Sequence, residues 1–171
     1  MDKRLNLLFK RYRISILLTF ILNILSGENI SIAVFDLSNN GLKDSEVKIL
    51  TERLQSEMVK IGGYTVVERK KIDQVFEEQK FQMSGCVEEC LIEVGKMAGA
   101  NQVVLGSVGK LGTLYTISAR LVDANTGEMI RSSDFDADYN ISTLLKEGMF
   151  RIASELAGRV LPPISSNRDN K

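Results

Sequence analysis

The side chains that could carry chemistry are few. The 171 residues include no histidine, no tryptophan and two cysteines. Without histidine, a Ser-His-Asp triad, a Cys-His dyad and any His-ligated metal site are excluded. Cys86 and Cys90 are separated by Val-Glu-Glu. The usual redox motif has two residues between its cysteines, not three. A metal site would need two further ligands. A structural disulfide is therefore expected, with two free thiols as the alternative. On a regular helix the Cβ atoms at i and i+4 lie ~5–6 Å apart, while a disulfide wants ~3.5–4.5 Å. A bridge places Cys86 just outside a helix and Cys90 in its first turn.

The carboxylates are more plentiful but poorly placed for catalysis. Glu77-Glu78 and Glu88-Glu89 fall in helical segments, where such pairs usually form a solvated face. Asp134, Asp136 and Asp138 alternate along one face at a strand end. A weak Ca²⁺ site is one reading; charge guarding an edge strand is the preferred one. Glu68-Arg69 suits a helix start or an ion pair. Gly106-Ser-Val-Gly109-Lys-Leu-Gly112 looks glycine-rich. A phosphate loop leads from a strand into a helix, whereas these glycines lie within and between two strands. A bend or tight hairpin is expected there. No cofactor, metal or catalytic set is expected.

The elements that carry these residues follow from periodicity. Asn29 to Leu37 is nearly continuously apolar, as in a strand covered on both faces. Ser38 to Gly41 reads as a turn. Asp44 to Ile61 is an amphipathic helix with Val47, Leu50, Leu54, Met58 and Ile61 in one stripe, ended by Gly62-Gly63. A short strand over Tyr64 to Glu68 follows. Lys70 to Lys80 is a second helix, with Ile72, Val75 and Phe76 inward, broken at Ser84-Gly85. Glu88 to Ala98 is a third. Gln102 to Val108, Leu114 to Val122 and Glu128 to Phe135 form a meander, with Asn125-Thr-Gly127 as a hairpin turn. Ile141 to Leu161 is a long closing helix stopped by Pro162-Pro163. The order βαβααβββα predicts an α/β (α+β-like) fold, one mixed sheet with helices packed on it.

Charge organises the ends of the chain. Basic and acidic residues balance at 22 each, which excludes the basic field of a nucleic-acid binder. Lys3, Arg4, Lys10, Arg11 and Arg13 precede an apolar run from Ile14 to Leu25. That is the layout of a secretory signal peptide, and the run is shorter than the ~20 residues a bilayer span needs. The expected organisation is a signal peptide or uncleaved anchor over 1–27, one domain over 28–161 and a disordered tail over 162–171. No cysteine follows the apolar run, so a lipoprotein is not expected.

Several segments taken together resemble a known family. They are Ile32 to Asp36, Tyr64 to Arg69, Glu77 to Gln79, Cys86 to Cys90, Ile92 to Val108 and Tyr115 to Glu128. They are similar to the curli secretion component family (CsgG-like), and to the related domains of the TolB amino terminus and of lipoprotein activators of penicillin-binding proteins. The resemblance implies a periplasmic domain acting in protein assembly, secretion or envelope biogenesis. The long spare hairpins of a membrane barrel are missing from the sequence, so no pore is expected. The expected role is non-catalytic, through contacts with other envelope proteins or with copies of itself. The partner surface is placed at Lys48 and Arg53 on the first helix and Arg131 and Asp134 on the last strand. A periplasmic small-ligand-binding or sensing domain is the alternative; an enzyme using carboxylates alone comes third.

Mass spectrometry of protein from its native host should find residues 1 to about 27 removed and Cys86 and Cys90 two protons lighter than the dithiol. An intact Met1 in cytosolic protein, or full alkylation of both thiols without reduction, contradicts these expectations.

Overall fold

The computed structural model describes residues 30–79 and 87–162. The expected signal segment, the Ser84-Gly85 break, Cys86 and the tail beyond Pro162 lie outside the described residues. Six strands form one mixed sheet: β1 (Ile30–Val34), β2 (Ser38–Asn40), β3 (Tyr64–Val66), β4 (Gln102–Leu111), β5 (Leu114–Asp123) and β6 (Met129–Asp138). The helices are α1 (Asp44–Ile61), α2 (Arg69–Glu78), α3 (Glu88–Met97) and a composite α4. The last comprises Ile141–Thr143, a π-helical stretch Leu144–Gly148 and Met149–Leu156. The sheet runs β3-β1-β4-β5-β6, with β2 also on β4. β1 pairs parallel with β3 and β4, while β4, β5 and β6 are antiparallel. The expected mixed α/β sheet and the β6 edge are both present.

Two apolar layers sandwich the sheet. On one face α1 and α4 deliver Leu50, Leu54, Met58, Met149, Ile152 and Leu156 onto Ile32, Val34, Val104, Ile117 and Leu121. On the other, α2 and α3 deliver Ile72, Phe76, Val94 and Ala98 onto Ala33, Phe35, Val103 and Leu105. Each such side chain contributes ~1.5–3 kcal/mol when fully buried. β1 is the strand covered on both faces that its continuous apolar run predicts. α1 starts where Glu46 accepts a hydrogen bond from the Lys43 N–H at 2.9 Å, half of a capping box.

The structure departs from the sequence reading in three places. Ser38–Asn40 is a short strand paired with Ser107, Val108 and Gly109 of β4, and not a turn. Its Ser-Asn-Asn sequence has no strand propensity; parallel backbone pairing to β4 holds it. Between the pairs Val34↔Val104 and Ser38↔Ser107 the chain places residues 35–37 opposite residues 105–106. That one-residue excess is a β-bulge, with Phe35 buried on one face, Leu37 buried on the other and Asp36 exposed between them. Second, the meander strands are ten residues each, so β4 runs through Gly106 and Gly109 and turns at Gly112. Third, the closing helix ends at Leu156, before the prolines. The Gly158 N–H reaches Glu155 O, the Arg159 N–H reaches Ser154 O, and Gly158 has φ 80°. This is a Schellman cap, set by glycine and not by Pro162.

The π-helical stretch ends where α4 packs tightly on β6. A Cβ on Gly148 would lie 2.9 Å from Phe135 Cδ1, so α4 approaches β6 as closely as a side chain from the sheet permits. The β5–β6 turn is held by Asp123, whose carboxylate accepts the N–H groups of Asn125 and Thr126 at 2.7 and 2.9 Å. Those two amides hold its carboxyl below the usual carboxylate range.

Gly106 is where space is tightest against backbone: an added Cβ would lie 2.5 Å from the Ser118 carbonyl oxygen. Gly106→Ala should lower unfolding free energy in urea by about 2 kcal/mol. Gly127→Ala, in open space at φ 73°, should lose about 1 kcal/mol from the left-handed backbone alone. Equal losses would refute the close-approach account.

Candidate functional site

The connections decide where a site forms. α1 carries the chain from β1 to β3 on one face of the sheet; α2 and α3 carry it from β3 to β4 on the other. β1 thus lies at a topological switch point, and the crevice outside its carboxyl end is where open α/β sheets hold ligands. The bulge puts Asp36 there. Arg69, just after β3, donates to Asp36 through both terminal nitrogens, one at 2.6 Å and the other closer. Asp73, one turn further along α2, lies 3.5 Å from Arg69 Nε. The hydrogen bonds Arg69 donates to Asp36 raise its pKa above the ordinary value, against the opposing effect of burial. Expectation and structure agree on Glu68-Arg69: Glu68 stands at the N-cap position of α2, without a side-chain capping hydrogen bond, and Arg69 makes the ion pair.

Asp36 separates two cavities. One, of about 690 Å³, lies between α1 and α2 and is lined by Asp44, Lys48, Glu52, Arg69 and Asp73. The other, of about 590 Å³, lies over β4, β5 and β6 beside the start of α3. Its floor is the half of the sheet that, among the described residues, no helix covers. Cross-strand rows there read Leu105–Arg120–Ser132, Ser107–Ser118–Asp134 and Gly109–Thr116–Asp136. Apart from Leu105, which α2 and α3 cover, these are small or polar side chains, as a sheet face without a helical layer requires. Arg120 is ion-paired with Glu88 of α3. At the far end of this half-sheet Leu111 and Tyr139 are 79% and 80% exposed, and Tyr139 has φ 60°. Among the described residues no group of His, Cys, Asp or Glu converges as a metal site, and Asp134, Asp136 and Asp138 simply alternate along β6.

The four proposed surface residues occupy different environments. Lys48 is exposed on α1 and Asp134 is exposed on β6. Arg53 is half-buried and lies 2.8 Å from Glu57, whose side chain is only 6% exposed. It is not the free outer-face charge its helical position suggests. Arg131 donates to the Leu156 carbonyl at 3.2 Å and packs against Gly158, closing the end of α4 onto β6. Sequence periodicity marks which face of a helix points outward, but not whether a neighbouring side chain has claimed the charge there. Cys90 sits partly buried in the first turn of α3. Sequence reasoning missed Asp36 as a site residue. Its signal was the odd break of alternation at Phe35-Asp-Leu37, where one polar residue interrupts a buried strand.

The two α1 charges should therefore behave differently. Lys48→Glu should leave stability within ~0.5 kcal/mol. Arg53→Glu sets a second carboxylate against nearly buried Glu57 and should cost roughly 1–3 kcal/mol, discounted from a fully buried pair because Arg53 is partly exposed. Equal melting curves for both variants would refute the assignment.

Comparison with known proteins locates this architecture. Among curated proteins none matches the chain by sequence. The LpoB C-terminal domain from Escherichia coli superposes with TM-score 0.56 at 18% identity, covering 70% of this chain and 93% of that one. Lipoprotein GNA1162 from Neisseria meningitidis gives 0.56 at 18%, covering 77% and 99%. The PelC dodecamer from Paraburkholderia phytofirmans gives 0.51 at 12%, covering 75% and 88%. At these identities the likeness is one of fold. The LpoB-type branch of the sequence resemblance has counterparts here; the curli branch has none among these relatives. A family model spans residues 32–155, nearly the whole sandwich from β1 to α4, and by that match the chain belongs to DUF3280, the family described as "Protein of unknown function (DUF2380)".

Proposed function

We propose that this chain is a non-catalytic cell-envelope protein that works through protein–protein contacts. The observation that carries the reading is the sheet half that is bare among the described residues: a polar face of ten-residue strands, ending in an edge that no described strand pairs, on a scaffold packed elsewhere with helices. Such a surface offers backbone and short side chains to a partner and no enclosed, apolar site to a substrate. Support comes from the basic-then-apolar residues 3–25 and from the shared fold of the LpoB domain and of GNA1162, itself described as a lipoprotein. Function argued from fold is analogy, so the weight rests on the surface. The expectation of a non-lipidated protein draws no support from these relatives. The narrower curli-secretion role likewise has no relative behind it, and the envelope reading does not depend on it. PelC is described as a dodecamer, which makes self-association one form such contacts take.

The second reading, a small-ligand sensor, is favoured by one observation: the 690 Å³ crevice at the switch point beside Asp36 and Arg69. The experiment is chemical cross-linking of tagged full-length chain in native envelope fractions, with sedimentation of the purified protein alongside. Discrete cross-linked partners or a defined oligomer are expected. A monomer without partners, or purified protein that turns over nucleotides or glycans, overturns the assembly reading.

A further inference from the structure

β6 pairs with β5 on one side and with no other strand among the described residues. Its edge is long, and its alternating aspartates are the charges that guard it. The strand spans ten residues, contains no proline or lysine, and its only register shift lies opposite Leu121/Val122, at its start. Tyr139 N–H donates to Thr113 O, which fixes the phase of the ladder. In an antiparallel pair, residues alternate between facing the neighbour and facing away. Ala137, Phe135 and Ser133 therefore bond to β5, and Asp138, Asp136 and Asp134 turn their N–H and C=O groups outward. The same three residues project their carboxylates from the uncovered face, while Phe135 and Ala137 are buried on the other.

Outward backbone and unpaired negative charge thus coincide residue by residue. The arginines of β5 and β6 are already engaged: Arg120 by Glu88 and Arg131 by the Leu156 carbonyl. A second copy of β6 is a poor occupant, because pairing two such edges sets aspartates against aspartates, and like charges opposite one another destabilise a ladder. Asp side chains at alternate positions are ~7 Å apart along a strand, too far to converge on one cation. They match the spacing of alternate side chains on an added strand.

We propose that the β6 edge binds an extended segment of another protein carrying Lys or Arg at alternate positions, which adds to the sheet as a seventh strand. This deepens the assembly reading and rests on it. Backbone pairing along β6 supplies the attachment, and the three aspartates select the basic strand and reject a copy of this chain.

The test uses the full chain and two blocked heptapeptides, Lys-Thr-Lys-Val-Lys-Thr-Lys and its counterpart with Glu for Lys. Calorimetry measures affinity and amide hydrogen exchange measures β6. The basic peptide should bind, the acidic one should bind at least about tenfold more weakly, and the amides of Asp134, Asp136 and Asp138 should slow in the complex. The triple variant Asp134→Asn, Asp136→Asn, Asp138→Asn should lose about tenfold in affinity, the sum expected of three cross-strand charge pairs. Equal binding of the two peptides, no binding of either, or binding without slowed β6 amides overturns the proposal; none of these depends on a variant folding. If envelope partners cross-link equally to wild type and the triple variant, the edge proposal fails while the assembly reading stands. If wild type finds no partner and sediments as a monomer, the assembly reading itself fails.

Discussion

The structure depends on the pairing of β1 between β3 and β4. A buried backbone must have every N–H and C=O satisfied, and β1 is enclosed by strands at its sides and helices on both faces. Ile32, Ala33 and Val34 are at most 1% exposed. Its neighbours β3 and β4 are both parallel to it, which demands crossover connections, and the crossover helices cover its faces. That pairing also determines what happens where β1 ends. The chain continues along β4 as β2 with one residue too many, and the excess is absorbed at Phe35-Asp36-Leu37. Two apolar side chains take opposite faces and Asp36 is turned out, where Arg69 meets it.

Coverage of the two faces is unequal. α1 and α4 together cover one face from β1 to β6, and Gly148 lets α4 settle against Phe135. α2 and α3 together have twenty residues and cover only the neighbourhood of β1 and β4 on the other. The remaining half-sheet must tolerate water, and its residues comply: serine, threonine, glycine, one paired arginine and a column of aspartates. The molecule thus keeps a rigid, helix-backed sheet with one wet face and one long edge. That geometry links packing to the proposed role. A partner arriving at the edge meets a strand already held in place by a full core behind it, so little ordering is required of this protein on binding.

Much of this was legible in the sequence because it depends on local periodicity. The α1 stripe from Val47 to Met58 leaves a 3.6 repeat, the Gly62-Gly63 stop and the Asn125-Thr-Gly127 turn leave a glycine where φ is positive, and the two-sided burial of β1 leaves an almost unbroken apolar run. The alternation of Asp134, Asp136 and Asp138, and the position of β6 last in a meander, marked the edge. The ion-pairing role of Arg69 was visible as a charge at a strand-to-helix junction.

What only the tertiary structure decided involves residues far apart in the chain. β2 exists because β4 offers its backbone, not because Ser-Asn-Asn favours a strand. Asp36 and Arg69 meet across 33 positions because both strands end at the same crevice. Arg53 is claimed by Glu57, and Arg131 by the last carbonyl of α4, 25 residues away. The bare half of the sheet follows from how far two short helices reach. Periodicity records the direction in which a side chain points; the partner that waits there is set by the path of the folded chain.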